Sequence, residues 1–440
     1  MRSDHNKFPQ TFLWGTATSS HQIEGNNQAN DWWDWEQAGK TGDPSGIACD
    51  SYRRFEEDFD IAQKLHHNAH RLSIEWSRVE PRMGEWDSEA LRHYQQVLKA
   101  LRRRALEPII TLHHFTNPQW FSKVGGWENP HAPMWFERYA TKIAQILGGD
   151  VEYWITFNEQ NVLCYKGYIE GEWPPGKRSV RAAYRATLHI AQAHIRAYNA
   201  IKSVYVAGGW KVPQVGLAQH CLHAVPSNPS SWRDRFAAWF RKFMNNYFFL
   251  DLLQHDQYAW LPMLLGFGGK MKTLDFVGIN YYFREIIQSA KWALHPVSLA
   301  GEVDTAHPEY VACKKNDLNW CIHPPGIGKV IREAHERYQV PVIITENGIC
   351  THDEQLREEF IVQHLQEVKR CIDDGLPVFG YMHWSLLDNF EWSIGYSPRF
   401  GLVAIDPTTQ NRTIKSSAWV YADICKNYEL PNARDKDKIS

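Results

Sequence analysis

The chain has 440 residues, 43% of them hydrophobic, with 20 Trp, 19 Tyr and 20 Phe. That apolar and aromatic content builds a large core and excludes low-complexity disorder. With 48 Lys and Arg against 50 Asp and Glu, the formal net charge is −2, which argues against a strongly basic nucleic-acid binder.

The chain begins with a polar stretch, Met1–Lys7, that runs into Phe8-Pro9 without an apolar run of the secretory type. From there a short β-rich run followed by a longer helical stretch recurs. The predicted strands are Phe12–Ala17, His70–Trp76, Pro108–His113, Tyr153–Asn158, Gln214–Ala218, Phe276–Tyr281, Pro341–Glu346 and Val378–Trp384. Helices are predicted over Ala90–Arg103, Pro133–Leu147, Arg181–Ala200 and Leu356–Asp373. Length alone suggests about three domains. Repeated alternation instead predicts an α/β fold, one (β/α)₈ TIM barrel domain over residues 1–440, with the active site at the C-terminal ends of the strands. An open doubly wound sheet is the alternative, but no Gly-x-Gly-x-x-Gly loop follows any strand.

Strand parity favours the barrel. In His70–Trp76, Leu72 and Ile74 share one face, suited to outer helices, while Arg71, Ser73 and Glu75 share the other. A charged inner face is costly unless it is paired or functional. Polar groups also collect where strands stop: His113-His114, Asn158-Glu159, Asn280-Tyr281-Tyr282, Glu346-Asn347 and His383-Trp384. Glu159 and Glu346 both follow β-rich runs and both have an Asn neighbour. Two carboxylates facing each other across a cleft suit glycoside hydrolysis, one attacking the anomeric carbon and one protonating the leaving oxygen.

Other signals read as structural. The eight cysteines are scattered and are expected to be reduced, mostly buried thiols. Adjacent His113-His114 point to opposite faces of a strand, and His66, His67 and His70 lack a completing ligand, so no metal is expected. Arg102–Arg104 closes a helix, where the dipole favours cations. The aromatic segment Trp232–Trp260 is expected to pack inward on the barrel. Asn411-Arg412-Thr413 matches a glycosylation pattern without further support. No stretch approaches the roughly 20 apolar residues of a membrane span, and a soluble, cytoplasmic protein is expected.

The chain resembles glycoside hydrolase family 1, the β-glucosidase family, over nearly its whole length. The stretches that carry the resemblance are Phe12–Gly15 with Gln22–Gly25, Arg71–Arg78, Thr156–Glu159, Val277–Tyr282, Ile344–Gly348 and Trp384–Trp392. The resemblance implies a cofactor-independent, retaining β-glycosidase acting on glucosides, galactosides or fucosides. In that reading Glu346 is the nucleophile, Glu159 the acid/base, Arg71 the cation that keeps Glu346 ionised, and Tyr282 the hydroxyl bonded to it. Like-charge repulsion from Glu346 would keep Glu159 protonated. Gln22, His114, Asn158, Glu391 and Trp392 match the sugar-binding set and Trp384 the platform under the ring. Asn280 matches a polar position near the nucleophile, Trp320 an aglycone-side indole, and Phe400 a residue lining the glycone pocket. Family members acting on 6-phosphorylated sugars generally lack the acid at the position of Glu391, so unphosphorylated sugars are expected.

The chain departs from the family pattern at Gln160 and Asn161, where many members carry Pro and Trp, and at Phe115-Thr116, where Trp-Asp is frequent. Trp173, in Glu170–Gly176, is either an aglycone contact or a packed indole. A transglycosylase using the same residues and a non-catalytic sugar-binding pseudoenzyme are the alternatives. The expected partner is a small carbohydrate, with no nucleic acid and no membrane; the sequence sets no oligomeric state.

Overall fold

The computed structural model describes residues 6–254, 272–290 and 299–431. Eight parallel strands close on themselves: β1 (Leu13–Ala17), β2 (Ala69–Ser73), β3 (Glu107–His113), β4 (Tyr153–Asn158), β5 (Gln214–Pro226), β6 (Phe276–Gln288), β7 (Val342–Asn347) and β8 (Val378–Trp384). Each pairs with its neighbours in chain order, and β8 returns to β1. Long helices follow each strand: α1 (Ser51–Lys64), α2 (Ser88–Arg103), α3 (Ala132–Leu147), α4 (Val180–Ala207), α5 (Trp232–Lys242), α6 (Pro324–Tyr338), α7 (Glu354–Asp373) and α8 (Ser416–Asn427). Short polar side chains start several of them. Asp87, Ser179 and Asp353 accept from the otherwise unpaired first-turn amides of α2, α4 and α7.

Alternation sorts the side chains. Inward residues Ala17, Ala69, Ile109, Ile155, Phe276, Ile343 and Met382 fill the barrel as one apolar cluster. Outward residues such as Leu72, Ile110, Leu217 and Ile344 join the larger core under the helices. Two positions beyond the inner apolar layer, the same faces of β2, β3 and β7 turn polar with Arg71, Thr111 and Thr345. The barrel therefore ends its packed floor where its polar rim begins.

Several expected boundaries change, and the helix predicted to end at Ala200 runs on to Ala207. β2 stops at Ser73, because Glu75 turns to cap a short helix at Trp76–Val79 and accepts from the Ser77 amide. Glu75 is fully buried and also takes hydrogen bonds from Ser20 and Thr116, so its inward placement holds although the strand does not reach it. β5 and β6 run well past the predicted ends, as Leu222, Ala224 and Ile287 gain a separate apolar cover from Ala237 and Ala238 of α5. The Trp232–Trp260 segment does not pack wholly inward: Trp232, Phe236 and Trp239 are 67%, 41% and 54% exposed, while residues 255–260 lie outside the described residues. The cysteines depart as well. Cys313 and Cys321 form a disulfide, whereas Cys49, Cys164, Cys221, Cys350, Cys371 and Cys425 are buried free thiols. Among the described residues no helix is long and apolar enough to cross a membrane, and no group of three ligands could hold a metal.

Candidate active site

Strict alternation would send Glu346 outward with Ile344. A register shift between Ile344 and Asn347, matched by one between Ile279 and Asn280, lets Thr345 and Glu346 both reach the interior. β4 does the same between Ile155 and Asn158, and Glu159 follows in a left-handed conformation with φ 46°. The chain holds a non-glycine residue there at a cost of about 1–3 kcal/mol, which aims the carboxyl into the cleft. Gly348 is required beside the bulge, because a Cβ would stand 1.8 Å from the Trp384 carbonyl oxygen.

Arg71 is the hub. Its Nη1 donates to Glu346 Oε1 at 2.7 Å and to the Thr345 carbonyl at 3.0 Å, its Nη2 to Asn158 Oδ1 at 2.7 Å, and its Nε to Thr111 Oγ1 at 3.1 Å. A guanidinium with no exposed surface is tolerable only when its donors are satisfied in this way. The Tyr282 hydroxyl donates to the other Glu346 oxygen at 2.6 Å. Asn280 Nδ2 donates to Glu159 Oε1 at 2.8 Å and to Asn158 Oδ1 at 3.0 Å, and its own Oδ1 accepts from Thr345 at 2.6 Å. Asn158 in turn lies 3.1 Å from the His114 imidazole. One continuous network thus joins both glutamates.

The protonation pattern differs from the expectation in two respects: burial outweighs Arg71 at Glu346, and burial rather than repulsion from Glu346 raises Glu159. Arg71 does not hold Glu346 below the usual carboxylate range. Burial pushes Glu346 up to about 7 against the pull of Arg71, with Glu159 adding to the rise. Burial likewise pushes Glu159 up to about 7, opposed by the Asn280 hydrogen bond and by Arg71. Glu346 receives both Arg71 and Tyr282 directly, whereas Glu159 receives a neutral amide, so Glu346 is the one that ionises first. Burial, then Glu346 and Glu159, raise Glu391 to about 8. His114 is pushed well below its ordinary value by burial and is a neutral ring.

Around this centre the rim is built by loops. Gln22 Nε2 donates to Asn389 Oδ1 at 3.0 Å, to the Phe390 carbonyl at 2.8 Å and to Glu391 Oε2 at 3.3 Å, which binds the β1 loop to the β8 loop. His114 stacks between Trp384 at 5.9 Å and Trp392 at 6.1 Å. Tyr282, Trp320 and Phe400 form a second aromatic wall, with ring centres 5.9 to 6.1 Å apart. All thirteen site positions read from the sequence thus belong to this one rim. Trp173 resolves as a packed indole: it is 8% exposed and sits against Trp32, Phe115 and Trp392.

The charge on Glu391 has a measurable consequence. Its folded value lies above the ordinary 4.5, so its proton is retained on folding and stability falls as pH rises from about 4.5 through 8. Glu391→Gln removes that penalty. We expect it to stabilise the protein by about 2–3 kcal/mol at pH 8.5, roughly 2–3 °C in Tm for a chain of this size, with the gain vanishing near pH 5. Calorimetry at the two pH values checks it; an unchanged or lower Tm at pH 8.5 would remove the assignment.

Several functional contacts were not legible in the sequence. Thr111 and Ser19 (whose hydroxyl donates to Gln22 Oε1 at 2.6 Å) carry no motif of their own, Thr345 and Asn389 lie in stretches that carry the resemblance without a role assigned to them, and all four matter through the residue each one holds. Beside Glu159, the departures at Gln160 and Asn161 join an amide cluster. Gln160 donates to Gln219, and Asn161 donates to the His220 and Asn245 carbonyls, each at 3.1 Å.

Two buried carboxyls with different partners, under a ring of sugar-compatible amides and flat aromatic floors, define a glycoside hydrolase on a (β/α)₈ barrel. The family model described as Glycosyl hydrolase family 1 matches residues 4–430, and the chain belongs to that family. Beta-glucosidase A of Thermotoga maritima is 32% identical over 96% of this chain and 99% of its own length. A beta-galactosidase of Pyrococcus woesei is 30% identical over 96% and 97%. Among solved structures, a beta-glycosidase from Pyrococcus horikoshii superposes with a TM-score of 0.87 at 37% identity, covering 98% of this chain and 97% of that one. The family 1 glucosidase from Thermotoga maritima superposes with a TM-score of 0.89 at 30% identity, covering 98% and 100%, and has been solved in complex with isofagomine lactam.

Proposed function

We propose that this chain, as one barrel domain over residues 1–440, is a retaining β-glycosidase that hydrolyses terminal β-D-glucosyl residues, and β-galactosyl or β-fucosyl residues, from small glycosides. The observation that carries the reading is the unequal pairing of the two carboxyls, Glu346 with Arg71 and Tyr282 and Glu159 with Asn280. In the first step ionised Glu346 attacks the anomeric carbon while Glu159 gives its proton to the departing oxygen, leaving a glycosyl ester on Glu346. Esterification removes the negative charge of Glu346 beside Glu159, whose carboxylate then takes a proton from water. That water attacks the anomeric carbon and frees Glu346. Asn158 is suited to hold the 2-hydroxyl, whose contact strengthens in the transition state and contributes several kcal/mol, roughly 10³-fold or more in rate. Gln22, His114 and Glu391 offer rim partners, and Trp384 and Trp392 flat faces for the sugar's C–H bonds. Arg71 is already engaged by Glu346 and Asn158, and ionised Glu346 repels a dianionic 6-phosphate, which supports unphosphorylated sugars.

Trapping with a 2-deoxy-2-fluoro glucoside followed by peptide mass mapping tests the reading. A label on the peptide containing Glu346 is the expected result. An active enzyme that never labels, or a label on Glu75 or Glu391, would overturn it.

A further inference from the structure

Helix α5 turns the usual logic of a barrel helix inside out. Its alanines, with Asp234 and Arg241, face the protein. Ala237 and Ala238 pack on Leu222, Ala224 and Ile287, and Asp234 accepts from the Ser289 amide at 2.9 Å. Arg241 pairs with the buried Glu285. The large residues Trp232, Phe236 and Trp239 face out, with Phe240 and, just past the helix end, Phe243 half-buried beside them; the recurrence at intervals of three and four places them on one stripe. Their rings touch along it, Phe236 with Trp239 at 5.7 Å and Trp239 with Phe243 at 5.5 Å. Met244, 39% exposed, continues the stripe past the helix end. Arg233 stands on one flank and Arg235 on the other, and among the described residues neither meets a carboxylate.

A helix that hides alanines and exposes indoles between arginines does not serve the core. Exposed aromatic stripes of this kind are rare on soluble surfaces and mark an interaction site. The composition, Trp and Phe along one face with Arg at its borders, is that of a helix lying in a lipid interface. Indole rings favour the headgroup level, and flanking cations are drawn to anionic headgroups. We propose that α5 seats this protein on an anionic phospholipid surface through its outward aromatic stripe. The stripe is also beside the cleft: the chain leaving α5 carries Asn245, whose carbonyl accepts from Asn161, two residues after Glu159. Seated on α5, the protein holds the mouth of its site against the membrane, within reach of glycosides whose aglycone is a lipid. This inference goes beyond the sugar chemistry and is read without turnover, so either can fail alone. It concerns surface attachment, on which the lack of a membrane-spanning helix among the described residues does not bear.

The test is co-sedimentation of the full chain with vesicles of phosphatidylcholine alone and of phosphatidylcholine mixed with phosphatidylglycerol. We expect pelleting with the mixed vesicles, weakened by salt. The double substitution Trp232→Ser with Trp239→Ser is expected to lower partitioning about tenfold or more, while Tm and hydrolysis of a water-soluble aryl glycoside stay as in the parent. Arg233→Glu with Arg235→Glu is expected to abolish the preference for mixed vesicles. Protein that stays in the supernatant with both vesicles, pelleting that survives loss of both indoles, or equal binding to the uncharged vesicles overturns the proposal. So does a lipid-free dimer that the Trp double variant splits, because the stripe then belongs to a second copy.

Discussion

Glu346→Gln is expected to lower kcat by about 10⁴-fold or more on every glycoside, whatever its leaving group. The amide is nearly isosteric; its oxygen can still accept from Arg71 while its NH2 donates to the Tyr282 hydroxyl oxygen, so the pocket keeps its shape. What is lost is the nucleophile and the negative charge opposite the developing oxocarbenium ion, and no other group is placed to supply either. Because bond formation by Glu346 is common to all substrates, the loss should be equally deep for a dinitrophenyl glucoside and for an alkyl glucoside. Steady-state kinetics on that pair checks it, with circular dichroism confirming the fold. A residual rate above about 1% on either substrate would argue that a different carboxyl attacks.

Glu159→Ala should give the opposite contrast. A proton on the leaving oxygen matters when the departing alkoxide is a strong base and hardly at all when it is a dinitrophenolate. We therefore expect a loss of about 10²–10⁴ in kcat/KM for the alkyl glucoside and under about tenfold for the dinitrophenyl glucoside. The pH profile provides a second signature. In the parent, kcat/KM should rise as Glu346 ionises and fall as Glu159 loses its proton, and with both carboxyls pushed up to about 7 the optimum lies near neutrality. The apparent values belong to the coupled pair. Removing Glu159 should erase the alkaline limb and move the acid limb to lower pH, since a neighbour that raises Glu346 is gone. Equal losses on both substrates, or a retained alkaline limb, would take the acid/base role away from Glu159.

Charge explains why the two glutamates were easier to find than to assign a protonation state. Their position at strand ends follows from the alternation of β-rich runs and helices, which is local information. Their pKa values are not local. An Arg71–Glu346 pair, which the sequence suggests, lowers a carboxyl, but the desolvation of a closed site is written in no neighbouring residue, and burial outweighs the ion pair. Trp173 failed to declare itself for a related reason. An indole in a Pro-rich loop looks the same in sequence whether it meets substrate or, as here, Trp32, Phe115 and Trp392. The long β5 and β6 were cut short because Leu222, Ala224 and Ile287 have a strand-like burial only once α5 covers them.

By itself the sequence determined the barrel class and the residues that could do chemistry. Binary pattern, turn residues and the polar ends of strands are written in neighbouring positions. Tertiary structure alone decided how those residues face each other. The bulge at Ile344–Asn347 reverses the side to which alternation would send Glu346, that at Ile155–Asn158 does the same for Asn158, and no residue spacing records a bulge made by pairing with a neighbouring strand. It also decided which aromatics became floor, core or surface. Trp384 meets His114, Trp154 is sealed beneath helices, and Trp232 is left in the open, because burial is set by what folds against a ring rather than by the ring itself.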